Sequence, residues 1–250
     1  FAAIADPTRR TYAAMVSCLD DEIGKVVAAL DRTDLRKDTL ILFHSDNGGT
    51  RDARFAGVMA DVSQIKIPCD NGPYRDGKGS LFEGGTRVCA LANWPGRIAP
   101  GKADGLIHAV DVYPTVARLA QAPTTKCKPL DGVDVWTVLS ANAPSPRTEI
   151  VYNIEPFRGA VRQGDWKLIW RTTLPSSTDL YHITADPSET TNLADQEPER
   201  VAALKARIEA LAREAAKPLF FIDQMKVVTT NMAGEPVLPT DEGFGDHDHL

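Results

Sequence analysis

The segment TLILFHSDNGG at residues 39–49 constrains the fold most. It is an apolar run that stops abruptly at an acid, an amide and two glycines. The run predicts a strand over Leu40–Ser45 that is central in a sheet and covered on both faces. An amphipathic segment over 7–31 precedes it and predicts a helix, for which Asp6 before Pro7 is a suitable N-cap. The apolar stripe of this helix comprises Tyr12, Met15, Leu19, Ile23, Val26 and Leu30. A helix followed by a fully apolar strand predicts an α/β fold.

The second half of the chain has a different texture, with short strand patterns separated by turn residues. We therefore predict two domains, 1–123 as an α/β part and 124–250 as a small α+β subdomain with a tail. Further predicted elements of the first part are a strand over Thr86–Asn93 and a helix over Asp111–Gln121. Those of the second part are strands over Glu149–Asn153, Gly159–Arg162, Trp166–Arg171 and Asp179–Ile183 and a helix over Pro198–Ala216.

Composition excludes some partners and leaves the cysteines open. The chain of 250 residues has a net charge of −6 and no long basic run, so nucleic acid is not an expected partner. No stretch reaches the apolar length needed to span a bilayer. We expect Cys18 and Cys89 to be buried free thiols, whereas a disulfide between Cys69 and Cys127 stays open.

The residues that end the predicted strand are candidate metal ligands. Ligands of open α/β sheets gather beyond the carboxyl ends of the strands, where Asp46 and Asn47 are placed. A carboxylate beside a carboxamide offers hard oxygen donors, which suit Ca²⁺ or Mg²⁺. The alternative is an ordinary Asx-type turn that ends a strand.

A second segment, GPYRDGKGSLFEGGTRV at 72–88, places Lys78 among small residues where it could act as a point charge for an anion. Glu83 and Arg87 are interpreted as an ion pair or cap that braces the Lys78 loop, and Asp111 as the cap of its helix. His44 shares a strand face with Asp46 by alternation, which makes it a candidate substrate contact or a core histidine.

The ordered series of these motifs resembles the type I sulfatases, the arylsulfatase branch of the alkaline phosphatase superfamily. The series is LILFHSDNGG, GPYRDGKGSLFEGGTRV, WPG, HAVDVYPTVARLA, PLDGVDVW, GAVRQGDWKLI and TDLYHITADPSETTNLA. The resemblance implies an alkaline-phosphatase-like α/β sandwich with a central mixed β-sheet flanked by helices. It also implies a small C-terminal antiparallel β-sheet with one helix.

The resemblance also implies roles for the candidate site residues. Asp46 and Asn47 match two ligands of a single divalent cation, calcium, with magnesium as the alternative. Lys78 matches the lysine that holds the sulfate oxygens, and His44 stands where the family has a smaller residue. Asp-Asn differs from the Asp-His expected of two-zinc phosphatases, so it favours one hard cation and sulfate esters.

The nucleophile expected from the resemblance, a C/S-x-P-x-R motif, does not occur in these residues. The chain also does not begin with Met. We therefore expect the C-terminal portion of a sulfatase, which associates with an N-terminal segment, forms a homo-oligomer, or is a chance fragment.

These expectations define the functional hypotheses. The leading one is a calcium-assisted sulfuric ester hydrolase acting on aryl or sugar sulfates. The alternatives are a non-catalytic binder of sulfated or anionic ligands, and a metal-dependent hydrolase of phosphate, phosphonate or other esters. The resemblance implies a periplasmic or secreted protein, with a cytoplasmic location left open.

Overall fold

The computed structural model describes residues 1–51, 69–125 and 127–215. Its helices are α1 (Pro7–Arg32), α2 (Glu83–Thr86), α3 (Val112–Leu119), α4 (Trp136–Ala141) and α5 (Pro198–Glu214), with 3₁₀ helices at Arg36–Asp38 and Ala109–Asp111. Its strands are β1 (Ile41–His44), β2 (Ala90–Asn93), β3 (Glu149–Glu155), β4 (Arg158–Gln163), β5 (Trp166–Arg171) and β6 (Ser177–His182). The described residues up to Ala212 form one compact unit, and the boundary expected between residues 123 and 124 stays a prediction.

Helix α1 begins where the sequence predicts, because the Asp6 carboxylate accepts a hydrogen bond from the Thr8 backbone N–H at 3.0 Å. Its apolar stripe, however, is largely uncovered: Met15 is 66% exposed and Val26 60%. No residue of the helix is buried. The amphipathic pattern therefore predicts the helix correctly, but no described residues bury its apolar face.

Strand β1 has a single neighbour among the described residues, since it pairs antiparallel with β2. The register places Ile41 opposite Asn93 and His44 opposite Ala90. The sequence predicts a central strand covered on both faces, but Ile41, Leu42 and Phe43 are only half-buried. An apolar run shows that a strand is suited to burial. Whether the strand is buried depends on other elements that pack on its two faces.

The cysteines are free, as expected for Cys18 and Cys89, but these two side chains are exposed rather than buried. Cys18 lies on the uncovered helix α1, and Cys89 directly precedes β2. Cys69 and Cys127 are also free thiols, so they form no disulfide in this structure.

Strands β3 to β6 form a four-stranded antiparallel sheet in chain order, with one helix against it, as the sequence predicts. The turn between β4 and β5 contains Gly164 at φ +57°, a conformation that favours glycine. One face packs Val161, Leu168 and Leu180 against Leu204 and Ile208 of α5.

The opposite face of this sheet is covered by the segment that follows Lys78. Ala160, Ile169 and Tyr181 pack there against Leu81 and Phe82. The C-terminal sheet is thus in direct contact with the loop that carries the candidate anion-binding lysine.

Asp111 makes no side-chain cap at the start of α3 itself, but it completes a capping box with His108 at the 3₁₀ turn that leads directly into α3. Its buried carboxylate accepts from the backbone N–H groups of His108 at 2.8 Å and Val133 at 2.9 Å. It also accepts from the Arg147 guanidinium, with Nε at 2.7 Å. His108 caps the 3₁₀ turn through Nδ1, which accepts from Val110. The sequence shows the acid near a helix start, whereas its partners Val133 and Arg147 come from distant segments.

Within the described ranges, no helix combines the length and apolarity needed to cross a membrane. Residues 52–68 lie outside the ranges that the structure describes.

Candidate functional site

The candidate ligands Asp46 and Asn47 lie in the turn directly after β1. The Ser45 hydroxyl donates to the Asn47 carbonyl oxygen at 2.9 Å, which fixes the turn locally. Asp46 is exposed and Asn47 is half-buried. Within the described part of the chain, neither side chain makes a hydrogen bond or ion pair to the protein. Both therefore have oxygen atoms available to a ligand.

Gly48 holds this turn against a second segment of the chain. Its backbone N–H donates to the Gly85 carbonyl oxygen at 3.0 Å. A Cβ on Gly48 would lie 1.8 Å from the Gly84 carbonyl oxygen, so only glycine permits this approach. The next residue, Gly49, donates its N–H to Asn71 Oδ1 at 2.8 Å.

Lys78 lies beside the same turn, because its backbone N–H donates to the Gly49 carbonyl oxygen at 3.2 Å. The preceding residue, Gly77, is buried, and a Cβ there would come within 2.3 Å of that oxygen. The Lys78 side chain is exposed and forms no ion pair with any residue that the structure describes. The structure thus brings the backbone of Lys78 to the turn that contains Asp46 and Asn47.

His44 ends β1 and is exposed. Its Nδ1 lies 2.9 Å from the Ser45 carbonyl oxygen. Because its side chain is exposed, His44 is not a core residue of this structure, and a role in substrate binding stays a prediction.

Glu83 is the buried centre of the segment that meets the Gly48 turn. The predicted ion pair with Arg87 is present at 3.7 Å, but a shorter contact dominates. Glu83 Oε1 accepts from Lys167 Nζ at 2.8 Å and from the Tyr152 hydroxyl at 3.0 Å. Sequence reasoning at this site missed Lys167, a residue of β5.

A second carboxylate, Glu189, completes this buried group. Its Oε2 accepts from the Glu83 backbone N–H at 2.6 Å. Its Oε1 lies 2.9 Å from Lys167 Nζ in an ion pair whose geometry falls short of a directed hydrogen bond. Lys167 and Glu189 are fully buried and Glu83 is 2% exposed. One buried ammonium therefore forms ion pairs with two buried carboxylates. The available signal was a lysine inside the apolar strand WKLIW, since a buried lysine requires a partner.

The two carboxyl groups respond differently to this environment. Burial raises the pKa of Glu83, but the Lys167 ammonium and the Tyr152 hydroxyl outweigh it, so the pKa is lowered. Burial also raises the pKa of Glu189, and there Lys167 and the Glu83 N–H compensate only in part, so the pKa stays raised. Burial, together with the Glu83 carboxylate, raises the pKa of Tyr152 strongly, which keeps this hydroxyl a donor.

The metal ligands present are few. Among the described residues, no group of three or more His, Cys, Asp or Glu side chains is arranged to hold a metal ion. Asp46 and Asn47 contribute one carboxylate and one amide oxygen, both hard donors without a side-chain partner among the described residues. Such donors fit a calcium or magnesium ion whose remaining ligands come from water, substrate or other polypeptide.

Two family matches cover most of the chain. Residues 3–122 match the family described as Sulfatase. Residues 75–214 match the family described as N-sulphoglucosamine sulphohydrolase, C-terminal. The chain belongs to the sulfatase family. Both matches include residues 75–122, the segment with Lys78 and Glu83.

Individual sulfatases are similar over three quarters of this chain. Mouse arylsulfatase J is 33% identical over 194 residues, which are 75% of this chain and 30% of arylsulfatase J. Human arylsulfatase A is 32% identical over 216 residues, which are 75% of this chain and 40% of arylsulfatase A. The chain therefore spans less than half of the length of these sulfatases.

Solved sulfatase structures share the fold. Ps i-CgsB in complex with k-i-k-neocarrahexaose is 28% identical with a TM-score of 0.74, and the match covers 93% of this chain and 49% of that one. The PsFucS1 sulfatase from Pseudoalteromonas sp. is 26% identical with a TM-score of 0.63, covering 79% of this chain and 41% of that one. These matches confirm the predicted alkaline-phosphatase-like fold class.

Proposed function

We propose that this chain forms part of a sulfatase that hydrolyses sulfate esters. In this proposal Asp46 and Asn47 bind one hard divalent cation, calcium, and Lys78 binds the sulfate oxygens. The observation that carries it is the hydrogen bond from the Lys78 backbone N–H to the Gly49 carbonyl oxygen at 3.2 Å, two positions after Asn47 in the sequence. A carboxylate, a carboxamide and an ammonium thus belong to segments joined by backbone hydrogen bonds. None of these three side-chain groups is paired with a described residue.

The chemistry of these side chains suits a sulfuryl centre. A bound calcium ion would offset the negative charge that develops on the sulfate oxygens. Lys78 supplies a second positive charge from a glycine-rich loop whose backbone is hydrogen-bonded to Gly49, which suits a preorganised electrostatic site. The Asp46 carboxylate binds the cation by charge, and the Asn47 amide adds a neutral oxygen ligand.

Sugar sulfates are the favoured substrate class. Ps i-CgsB, which is 28% identical to this chain, has a solved structure in complex with k-i-k-neocarrahexaose. An N-acetylgalactosamine-6-O-sulfatase from Bacteroides thetaiotaomicron is 29% identical over 206 residues, which are 77% of this chain and 40% of that sulfatase. Aryl sulfates remain useful as reporter substrates.

Calorimetric titration tests the site in the chain as it is. Calcium chloride is titrated first, followed by sodium sulfate in the presence of calcium. Asp46→Ala is expected to abolish calcium binding, because a single protein carboxylate carries the charge of the site. Lys78→Ala is expected to retain calcium binding and to weaken sulfate binding about tenfold to hundredfold.

Lys102 provides the matched control, since it is an exposed loop lysine paired with Asp104 at 2.6 Å. Lys102→Ala should bind calcium and sulfate as the unchanged chain does. Equal losses from Lys78→Ala and Lys102→Ala would contradict a site at Lys78, because net charge alone would then explain sulfate binding.

A hydrolysis assay separates the enzyme from its alternatives. The assay pairs this chain with an N-terminal sulfatase segment that contains the C/S-x-P-x-R motif, and release of nitrophenol from nitrophenyl sulfate, lost in Lys78→Ala, is the result expected of a sulfatase. Calcium-dependent sulfate binding with no nitrophenol release by that pair would favour the non-catalytic binder. Faster turnover of a phosphate or phosphonate ester, with a transition metal in the purified protein, would favour the third class.

We further propose that other sulfatase polypeptide covers the apolar face of α1. Met15, Leu19 and Val26 are each more than half exposed there. Ps i-CgsB matches 93% of this chain with only 49% of its own length, so polypeptide of that kind is a fitting cover. Light scattering would reveal a homo-oligomer instead.

We also propose a periplasmic or secreted location, as the family resemblance implies.

A further inference from the structure

The buried Glu83–Lys167–Glu189 group connects the candidate site to the C-terminal sheet. Lys167 lies on β5, Glu83 opens α2, and Glu189 follows β6, so three distant segments meet at one ammonium. Lys167 shares a face of β5 with Ile169, the face that Leu81 and Phe82 cover. A buried ammonium on this face is destabilising unless partners compensate for its lost hydration, so Lys167 depends on Glu83 and Glu189.

The hydrogen bonds lead from this group to the site in two steps. Lys167 and Glu189 hold Glu83 by its carboxylate and its backbone N–H. Two residues later, the Gly85 carbonyl oxygen accepts the Gly48 N–H at 3.0 Å, immediately after Asn47.

The same segment also fixes the Lys78 loop. The Gly84 N–H donates to the Arg75 carbonyl oxygen at 2.8 Å. Arg75 in turn donates to the Tyr181 hydroxyl at 3.1 Å and to the Glu189 carbonyl oxygen at 3.0 Å. The loop that leads to Lys78 is therefore attached to β6 and to the Glu189 segment as well as to the Gly48 turn.

We propose that Lys167 is a positioning residue for the sulfate site, acting through Glu83 and the Gly84–Gly85 backbone on Asn47 and Lys78. This inference rests on the proposed function, since it gives the C-terminal sheet a role in holding that site. Lys167 touches neither candidate ligand residue, and its effect is to fix their backbone. Without it, the α2 segment would keep its apolar packing but lose the charge that determines its register against Gly48.

Amide hydrogen exchange tests this without any ligand. The ¹⁵N-labelled 250-residue chain is compared with Lys167→Met and with Lys167→Met/Glu189→Gln. The single variant leaves two buried carboxylates without their shared cation, so it could fail to fold. The double variant keeps one carboxylate, Glu83, with Tyr152 and Arg87 as its partners, and preserves the net charge of the group.

The expected result in the double variant is exchange at least about tenfold faster at the Gly48 and Lys78 amides. The Val161 and Leu168 amides of the β4–β5 ladder should stay within about twofold of the unchanged chain. A residue that only stabilises the sheet would give the opposite pattern. Unchanged Gly48 and Lys78 amides, or equal acceleration at all four positions, would overturn the proposal.

Arg147→Met is the matched control, because Arg147 belongs to the other buried ion pair, with Asp111. It should accelerate exchange at Val133, whose N–H donates to Asp111, and leave Gly48 and Lys78 unchanged. Loss of protection at Gly48 and Lys78 in this control would show a global effect and overturn the proposal. Calcium titration of the unchanged chain tests the proposed function separately, so its failure is distinguishable from that of the positioning role.

Discussion

Gly48 and Gly84 approach each other so closely that a Cβ on Gly48 would lie 1.8 Å from the Gly84 carbonyl oxygen. The contact joins the turn behind Asp46 and Asn47 to the α2 segment. Because both partners are backbone, no side-chain rotation can relieve an added methyl group.

Gly48→Ala is therefore expected to displace the turn. We expect a loss of about 1–3 kcal/mol in the free energy of unfolding, from forced backbone shifts. Calcium affinity should fall with it, because Asn47 is the adjacent residue. Denaturant unfolding and calorimetric titration measure the two effects. Gly101→Ala is the control, since nothing lies within 4 Å of a Cβ there, and an equal loss in both variants would contradict the prediction.

Gly24→Ala is expected to stabilise the chain. Gly24 lies inside α1, is exposed, and has nothing within 4 Å of its added Cβ. Replacing a helical glycine by alanine removes backbone entropy from the unfolded state, which is worth about 0.5–1 kcal/mol. Thermal unfolding by circular dichroism would register the gain. A lower melting temperature would show that other polypeptide packs closely at this position.

Arg147→Met is expected to cost about 3 kcal/mol, because it leaves the buried Asp111 carboxylate without its cation. Asp111→Asn/Arg147→Met removes both charges and should recover part of the loss. Urea unfolding at neutral pH measures both variants. A double variant no more stable than Arg147→Met would indicate that Arg147 contributes through packing, not charge.

The Asp111–Arg147 pair also predicts acid sensitivity. Burial raises the pKa of Asp111, but Arg147 and the Val133 and His108 N–H groups outweigh it, so the pKa lies below 3.8. A lowered folded-state pKa gives stability that is present above pH 3.8 and is lost as the pH falls through the folded pKa. Arg147→Met should remove this contribution, so its stability should change less with pH in the acid range. Unfolding curves below pH 5 check this, and a parallel pH dependence in both chains would contradict it.

Glu189 predicts the opposite pH dependence, because its folded-state pKa is raised above 4.5. The folded chain then holds the Glu189 proton more tightly, so stability falls as the pH rises from 4.5 through the folded pKa. Glu189→Gln cannot lose a proton and should flatten this decline. Melting temperatures measured from pH 4.5 upwards test the prediction, with Glu197→Gln, at the half-buried residue before α5, as control. A decline that persists in Glu189→Gln would assign it to another group.

The sequence by itself determined the family and most local elements, although α2 and α4 were not predicted and the strand expected from Thr86 begins at Ala90. Asp6 and Pro7 predict where α1 begins, and the alternating patterns after residue 149 predict the four antiparallel strands. The motif series from LILFHSDNGG onwards predicts the fold class and the family, because motif order and spacing are properties of the chain itself.

Only the tertiary structure decided which distant residues are in contact. Lys167 and Glu189 could not be assigned to the Glu83 segment from the sequence, since 84 residues separate Glu83 from Lys167. The ion pair of Asp111 with Arg147, 36 residues later, likewise could not be assigned from the sequence. The burial of β1 and α1 was misjudged for the same reason: apolar periodicity states which face suits a core, but burial depends on a second layer elsewhere in space. Periodicity and capping act over a few residues, whereas buried ion pairs and layers form between distant segments.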